Sequence, residues 1–485
     1  MSFPSELARQ YIDGEWLTGN GAWDIIDFNP YSGEKLCSVT VATAAEVDLA
    51  YRAAERAQRE WATVGSYGRR AVLENAVRLV GERGEEIIEL IVDELGGTRA
   101  KAEYEVRVAL EFLREAVGQA IRPVARLLPS ADDGKENRVY RLPVGVIGVI
   151  SSFNFPFLVT MKTVAPALAL GNAVVVKPHQ NAPIAGGGLV ARIFEDAGLP
   201  PGLLNVLITD SAEIGDSFIQ HPVPKVISFT GSNRVGRHVA AVAAGQFKRT
   251  VLELSGNSAL VVLEDADLDH AVRAAVYSRF LFQGQVSMAA NRILVDRSVE
   301  KDFTDRFTMA VAALPSGDPR DPETRIGPVI SAFQAEALAV LVDGAIEAGA
   351  TALVRGRTRG NLVEPTVLTG LPEGSPLLEQ EIFGPVALLV PFDGEDDAVR
   401  LVNDSPYGLS GAVHTADAER GVRFARRVRG GTFHVNGATA QDDPAVAFGG
   451  EERSGMGRLN GEASVDAFTT RKWISVQRGR VGFPF

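Results

Sequence analysis

The sequence predicts an α/β fold: a doubly wound parallel-sheet domain, a second α/β domain after it, and a small β arm. Three observations carry that prediction. From Val144 onward, short apolar runs (GVIGVISSF, NAVVVKP, LLNVLI, KVISFTGS, TVLELSG) alternate with helical stretches (TMKTVAPALALG, residues 183–197, and a run from Asn233). Short apolar strands separated by helices build a parallel, doubly wound sheet. A second cycle starts at residue 259 with ALVVL, a long helix and RILVD, and continues through EPTVLTG, GPVALLVPF and GGTFHVN. Between the opening helices and Val144 the pattern changes to IRPVARLLPS and ADDGKENRVYRLP, a polar turn flanked by strand-like runs that reads as a hairpin arm.

The elements follow in order. Residues 45–117 repeat apolar positions at three- and four-residue spacing with Glu and Arg between them, which predicts helix. They join residues 143–253 in a first domain, 1–119 plus 143–253. The second domain spans 254–440. The tail DAFTTRKWISVQR is strand-like and is expected to pair with the 120–142 arm or with a neighbouring subunit, which makes 120–142 and 465–485 candidate oligomerisation strands. No internal repeat and no low-complexity linker interrupts the chain.

Composition excludes several classes of function. A chain of 485 residues exceeds one simple core, and its 46% apolar and 23% charged content is that of a soluble globular protein. A net charge of −12 disfavours nucleic acid. The start, MSFPSELARQYIDGEW, lacks a basic segment followed by an apolar one, and the most apolar stretch, Val144 to Val159, is broken by Ser151, Ser152, Asn154 and Pro156. A cytoplasmic protein without a membrane span is therefore expected. One cysteine, Cys37, excludes an internal disulfide, and six scattered histidines give no metal-binding spacing, so no metal is expected.

Six segments are candidates for chemistry, each with a plainer alternative. FTGSNRVG (229–236) is a strand, a glycine turn and a helix start, where free amides and the helix dipole suit a phosphate; Gly231 and Gly236 do not make the dinucleotide fingerprint, and on this segment alone an ordinary strand-to-helix turn is the better reading. Lys177 in VVVKP stands at the carboxyl end of a strand, placed to donate to ribose hydroxyls or simply to meet solvent. Asn154 in SSFNFPF is either an oxyanion donor or a turn residue. Glu253 in LELSG, set in an apolar run, is either a general base or a solvated strand end. Ser287 in FQGQVSMAA suits a nucleophile in a tight pocket, and equally the first turn of a buried helix. In EQEIFGPV, Glu381 can hold ribose hydroxyls and Phe383 can stack near a nicotinamide ring, or both can be turn and core residues.

Taken together, these segments resemble the aldehyde dehydrogenase superfamily over essentially the whole chain. The order is the family's: NFP, VVVKP, FTGS-x-x-VG, LEL-x-G, GQV-x-M-A-A, EIFGPV, then FGG-x-x-x-SG-x-GR at 448–458. The resemblance implies that Asn154 and the backbone amide of residue 287 form an oxyanion hole and that Glu253 activates the hydrolytic water. It implies further that Lys177 and Glu381 bind the adenine-side and nicotinamide-side riboses, that Ser232 contacts the pyrophosphate, and that Phe383 flanks the nicotinamide ribose. The cofactor is then NAD or NADP, and the assembly a homodimer or homotetramer. MAANRILVD, the stretch from FHVNG to KWISVQ, and NFPFLVTMKTVAPALALGNAVVVKP look most like the benzaldehyde and vanillin dehydrogenase branch. An aromatic aldehyde is the expected substrate, in a tunnel for which Phe155, Met161, Phe282 and Val286 are candidates.

Two positions bear on this expectation. Gln180, three after the lysine, is neutral where a glutamate would repel a 2′-phosphate, so NAD with tolerance of NADP is expected. Residue 287 is serine where the family's mechanism uses a cysteine thiolate. A thiol has a reference pKa of about 8.5 and ionises usefully, whereas a serine hydroxyl does not, and losing a nucleophile costs on the order of 10⁴-fold or more. The chain is therefore expected to be an inactivated variant that traps substrate. The alternatives are a natural pseudoenzyme that binds aldehyde or nucleotide, and a serine-based esterase using Glu253.

Overall fold

The computed structural model describes residues 4–122, 124–372, 374–480, 482, 483 and 485. Residues 1–3, Pro123, Val481 and Pro484, which the expected domain and arm ranges include, lie outside the described residues, as does Glu373.

The helical region resolves into α1 (Ala44–Trp61), α2 (Ser66–Glu82), α3 (Gly84–Leu95) and α4 (Arg99–Gln119). Helix α1 begins with a capping box: Thr43 accepts from the Glu46 amide, and the Glu46 carboxylate accepts from the Thr43 amide, so two donors that the helix cannot satisfy itself are paired. Helix α3 ends at Gly96 in the left-handed conformation, φ 64. Helix α4 runs along α5 (Pro156–Ala169), which Pro156 opens at a position where its missing N–H costs nothing. The helix expected over 183–197 starts as a π-turn, Ile184–Gly188, and continues as α6 (Leu189–Asp196).

The first sheet has eight strands. In chain order they are β1 (Gln10–Ile12), β2 (Glu15–Leu17), β7 (Val146–Ile150), β8 (Ala173–Lys177), β9 (Leu204–Val206), β10 (Pro224–Thr230), β11 (Arg249–Glu253) and β19 (Gly455–Met456). A separate hairpin pairs β3 (Asp24–Phe28) with β4 (Lys35–Thr40). The spatial order is β2-β1-β9-β8-β7-β10-β11-β19, with the five central strands parallel and the edge strands antiparallel. Chain order therefore reverses between β7 and β10, and the crevice of a doubly wound sheet opens at the carboxyl ends flanking such a switch point. Helix α7 (Asn233–Ala244) follows β10.

The second sheet combines β12 (Ser258–Val262), β13 (Ala290–Asp296), β14 (Thr351–Val354), β15 (Thr366–Thr369), β16 (Val386–Phe392), β17 (Gly411–His414) and β18 (His434–Val435). Its order is β14-β15-β16-β13-β12-β17-β18, all parallel except β14. Helix α8 (Leu268–Phe280) connects β12 to the turn before β13.

The arm is a three-stranded sheet of β5 (Ala125–Leu128), β6 (Lys135–Pro143) and β20 (Thr469–Gln477). Of the two partners expected for the tail, the structure shows the arm of the same chain: β20 pairs with β6 from Thr469↔Pro143 to Gln477↔Lys135. Residues 465–468 are not strand, as the sequence suggested, but the last turn of α9 (Gly461–Phe468). Ser464, Val465 and Phe468 are buried at helical spacing there, and that burial decides the conformation.

One apolar core fills the space around the first sheet, and it also takes in Phe282, Val286 and Ala289 from beyond β12. Smaller cores serve the second sheet. The turn that carries residue 287 is thus seated on the first sheet's core while its strand belongs to the second. Among the described residues no helix is long and apolar enough to cross a membrane.

Candidate active site

Four carboxyl strand ends of the first sheet carry candidate residues: Asn154 just beyond β7, Lys177 closing β8, Gly231 after β10 and Glu253 closing β11. Parallel pairing puts those ends side by side, with Glu253 opposite Thr230 and Lys177 opposite Ile150.

Asn154 is fixed by two hydrogen bonds. Its Oδ1 accepts from the Ser152 hydroxyl at 2.8 Å, and its Nδ2 donates to the Gln285 carbonyl at 3.0 Å. The first bond orients the amide, and the second uses one of two N–H groups, leaving the other for the cavity that Asn154 lines.

Residue 287 sits in a turn, not at the start of a helix as one reading of the sequence had it. Phe282, Gln283 and Gly284 are left-handed in succession, with φ of 47, 53 and 72, which ends the helical path from α8. Gln283 donates to the carbonyls of Gly96 and Pro328, and Gln285 accepts from the Ile330 amide, so both glutamines hold backbone that has no sheet partner. The Ala289 amide then donates to the Val286 carbonyl at 2.9 Å, which places Ser287 and Met288 at the tip of the turn feeding β13. Gly256 packs under that tip: a Cβ there would lie 2.2 Å from the Ser287 carbonyl oxygen.

Glu253 is largely buried rather than solvated, and its Oε1 lies 2.9 Å from the Lys162 ammonium. Lys162 lies the same 2.9 Å from Asp442 and 4.1 Å above the Phe448 ring. Burial alone would lower its pKa, but Asp442 and Glu253 outweigh burial and hold the ammonium above its ordinary value. Asp442 is anchored in turn by Asn460, whose amide donates to its other oxygen at 2.7 Å.

Asn154, Glu253 and Ser287 line one cavity, whose walls include Tyr104, Phe155, Leu158, Val159, Val286 and Phe448. Of the four tunnel candidates, Phe155 and Val286 are on its wall. Met161 and Phe282 are not: Met161 is 0% exposed in the core, and Phe282 is 2% exposed against Phe155. The helix explains Met161, because the cavity-facing stripe of α5 is Leu158, Val159 and Lys162, and position 161 falls off it. The left-handed backbone explains Phe282. Sequence reasoning missed Lys162, Asp442, Tyr104 and Phe448. The lysine had a signal, since it is the one charge in the apolar run PFLVTMKTVAPALA.

The other half of the crevice suits a dinucleotide. Desolvation lowers the Lys177 pKa to about 8 against the pull of Asp210. Gly231 is required, because a Cβ would lie 2.6 Å from the Phe229 ring, and a Cβ on Gly236 would lie 2.3 Å from Leu254. Ser232 is the N-cap of α7 and is exposed, so the helix start faces outward. Glu381 accepts from the Gly256 amide at 3.0 Å; desolvation pushes its pKa up to about 7, opposed by that bond, Ser255 and Arg279. The Phe383 ring meets Phe153 edge-on at 5.9 Å, and Phe153 meets His179 at 5.3 Å, forming an aromatic side to the crevice. Gln180, just beyond β8, is exposed.

Comparison with known proteins shows the family. The profile described as "Aldehyde dehydrogenase family" matches residues 16–474, and the chain belongs to that family. It is 51% identical over 480 residues to the benzaldehyde dehydrogenase YfmT of Bacillus subtilis (strain 168), covering 99% of each chain. It is 42% identical to the vanillin dehydrogenase of Corynebacterium glutamicum, covering 98% of each. The crystal structure of an NAD-dependent benzaldehyde dehydrogenase from Corynebacterium glutamicum superposes with a TM-score of 0.90 at 40% identity, covering 99% of this chain and 98% of that one.

Proposed function

We propose that this chain is built to oxidise an aromatic aldehyde, of the benzaldehyde or vanillin type, to the carboxylic acid with NAD or NADP, and that serine at 287 severely impairs that reaction. The observation that carries the reading is the single cavity in which Asn154, Glu253 and the tip of the 287 turn meet between aromatic walls. The names of the benzaldehyde and vanillin relatives support the aromatic substrate.

With a thiolate at 287, sulfur adds to the aldehyde carbon and the carbonyl electron pair moves onto oxygen, which the free N–H of Asn154 and the 287 amide stabilise. As the carbonyl re-forms, the carbon gives up hydride and becomes an acyl thioester; a nicotinamide, when bound, would supply the hydride acceptor. Glu253 takes a proton from water, the hydroxide adds to the acyl carbon, and the thiolate leaves with the acid released. Lys177, Ser232, Glu381 and Phe383 would hold the dinucleotide. Gln180 carries no charge against a 2′-phosphate, which supports tolerance of NADP alongside NAD.

A serine hydroxyl lacks the ionised form that the first step needs. No histidine is among the described residues lining the cavity, and Lys162 is held protonated by two carboxylates. The carboxylates lining it, Glu253 and Asp442, each lie 2.9 Å from the Lys162 ammonium, and neither is hydrogen-bonded to the Ser287 hydroxyl. The test is Ser287→Cys against the unaltered chain, following reduced nicotinamide with benzaldehyde, vanillin and a short aliphatic aldehyde. The expected result is a gain of about 10⁴-fold or more on the aromatic aldehydes. An inert cysteine variant on all three overturns the dehydrogenase reading.

A further inference from the structure

The two oxyanion donors come from different segments, Asn154 between β7 and α5 and the 287 amide on the turn before β13. Something must set the distance between them. The direct link is the Asn154 bond to the Gln285 carbonyl. Beneath it lies a second connection that the reaction itself does not use.

Lys101 and Glu105, one turn apart on α4, form an ion pair with no side-chain exposure on either partner. Glu105 reaches across to α5, where its Oε1 accepts from the Phe157 and Leu158 amides at 2.9 and 3.2 Å. Helix α5 has no side-chain cap of its own, because its N-cap is Phe155. Glu105 therefore serves as the cap from another helix and pins the first turn directly after Asn154. The Lys101 ammonium lies 4.5 Å from the centre of the Phe155 ring and 4.4 Å from that of Phe282, and the two rings meet edge-on at 5.9 Å. Phe155 is next to Asn154, and Phe282 opens the left-handed run leading to residue 287. A desolvated cation shared by two rings attracts both, which draws the two segments to one point.

Resting on the dehydrogenase reading above, we infer that Lys101 and Glu105 are a positioning pair for the oxyanion hole, fixing the Asn154 amide relative to the amide of residue 287. Neither residue lines the cavity that Asn154, Glu253 and Ser287 share, and both side chains are fully buried. The pair acts through Asn154, and that gives it a signature distinct from general stabilisation. Displacing an oxyanion donor weakens the transition state and leaves ground-state binding nearly unchanged.

Removing Lys101 alone would strand a buried carboxylate, so the test uses Lys101→Met together with Glu105→Gln, which keeps the acceptor for the α5 amides and leaves no orphan charge. In the Ser287→Cys protein the double variant is expected to lower kcat for benzaldehyde about tenfold to a hundredfold with KM changed less than about threefold. In the Ser287→Cys, Asn154→Ala protein the same pair of changes is expected to alter kcat less than about twofold, because the donor it positions is already gone. An equal loss in both backgrounds, or a folded double variant with unchanged kcat, overturns the inference while leaving the dehydrogenase reading intact. An inert Ser287→Cys parent overturns both. Should the double variant fail to fold, Phe282→Leu removes one of the two rings and is judged by the same cycle.

Discussion

Lys162 is the residue on which the charge balance of the cavity turns. It faces two largely buried carboxylates, Glu253 and Asp442, at 2.9 Å each. Lys162→Met leaves those carboxylates without a counter-ion, and breaking a buried pair by removing one partner costs about 3–5 kcal/mol. A urea denaturation series is expected to show a loss of that size, and Lys162→Arg to recover most of it. Glu381 gives a pH signature. Its folded pKa, about 7, is raised above the ordinary carboxylate value, so the fold favours its protonated form. Its contribution to stability is fully present below the ordinary carboxylate range and is lost as pH rises through about 7. Under the role proposed for Glu381, nucleotide binding runs the other way, because an ionised group would offer both oxygens to ribose hydroxyls. Titrations of NAD are expected to show affinity rising about tenfold between pH 6 and 8, as the ionised fraction goes from about a tenth to about nine tenths. Glu381→Gln should flatten that dependence; a flat profile in the parent would place ribose recognition elsewhere.

At the scale of elements, the sequence was most legible where burial imposes a period. The helices of 45–117 and the parallel strands from Val144 onward are visible because apolar residues recur at helical spacing or in short unbroken runs. The turn at 282–289 was not, because Phe282 and Gln283 adopt left-handed backbone without glycine, under the grip of glutamine side chains bonded to Gly96, Pro328 and Ile330. Those partners are distant in sequence, so no local pattern announces the turn. The same limit applies to the site. The order of the motifs indicated which residues to watch, but not that Glu253 meets Lys162, nor that Met161 and Phe282 face away from the cavity. A test of the turn's seating is Gly256→Ala. The added methyl would overlap the Ser287 carbonyl, which is backbone and has little room to yield. The expected cost is about 1–3 kcal/mol, with aldehyde turnover by the Ser287→Cys protein reduced in the same variant. A chemical melt together with a turnover assay decides it; an unchanged turnover would show that the turn can shift without consequence.

At the scale of the whole molecule, the arm sheet leaves Val124, Leu127, Leu128, Leu142, Trp473 and Ile474 exposed. Apolar side chains left exposed along the arm strands mark a contact surface. We infer that a second copy of the chain covers it, so the protein is expected to elute as a dimer or tetramer, and deletion of residues 469–485 to shift light-scattering mass toward the monomer. Such a deletion that leaves the mass unchanged would assign assembly to another face. The pairing of β11 with β19 has a different consequence. Glu253 lies opposite Gly455, and Leu252 opposite Met456. The edge of the first sheet that carries Glu253 is thus closed by a segment made after the whole second sheet. During synthesis, β11 must wait with unpaired backbone until nearly the entire chain has left the ribosome. Closing so long a loop is slow, and in that interval the open edge can pair with any other extended chain. The last steps of folding therefore complete the crevice and protect the nascent protein from aggregation at the same time.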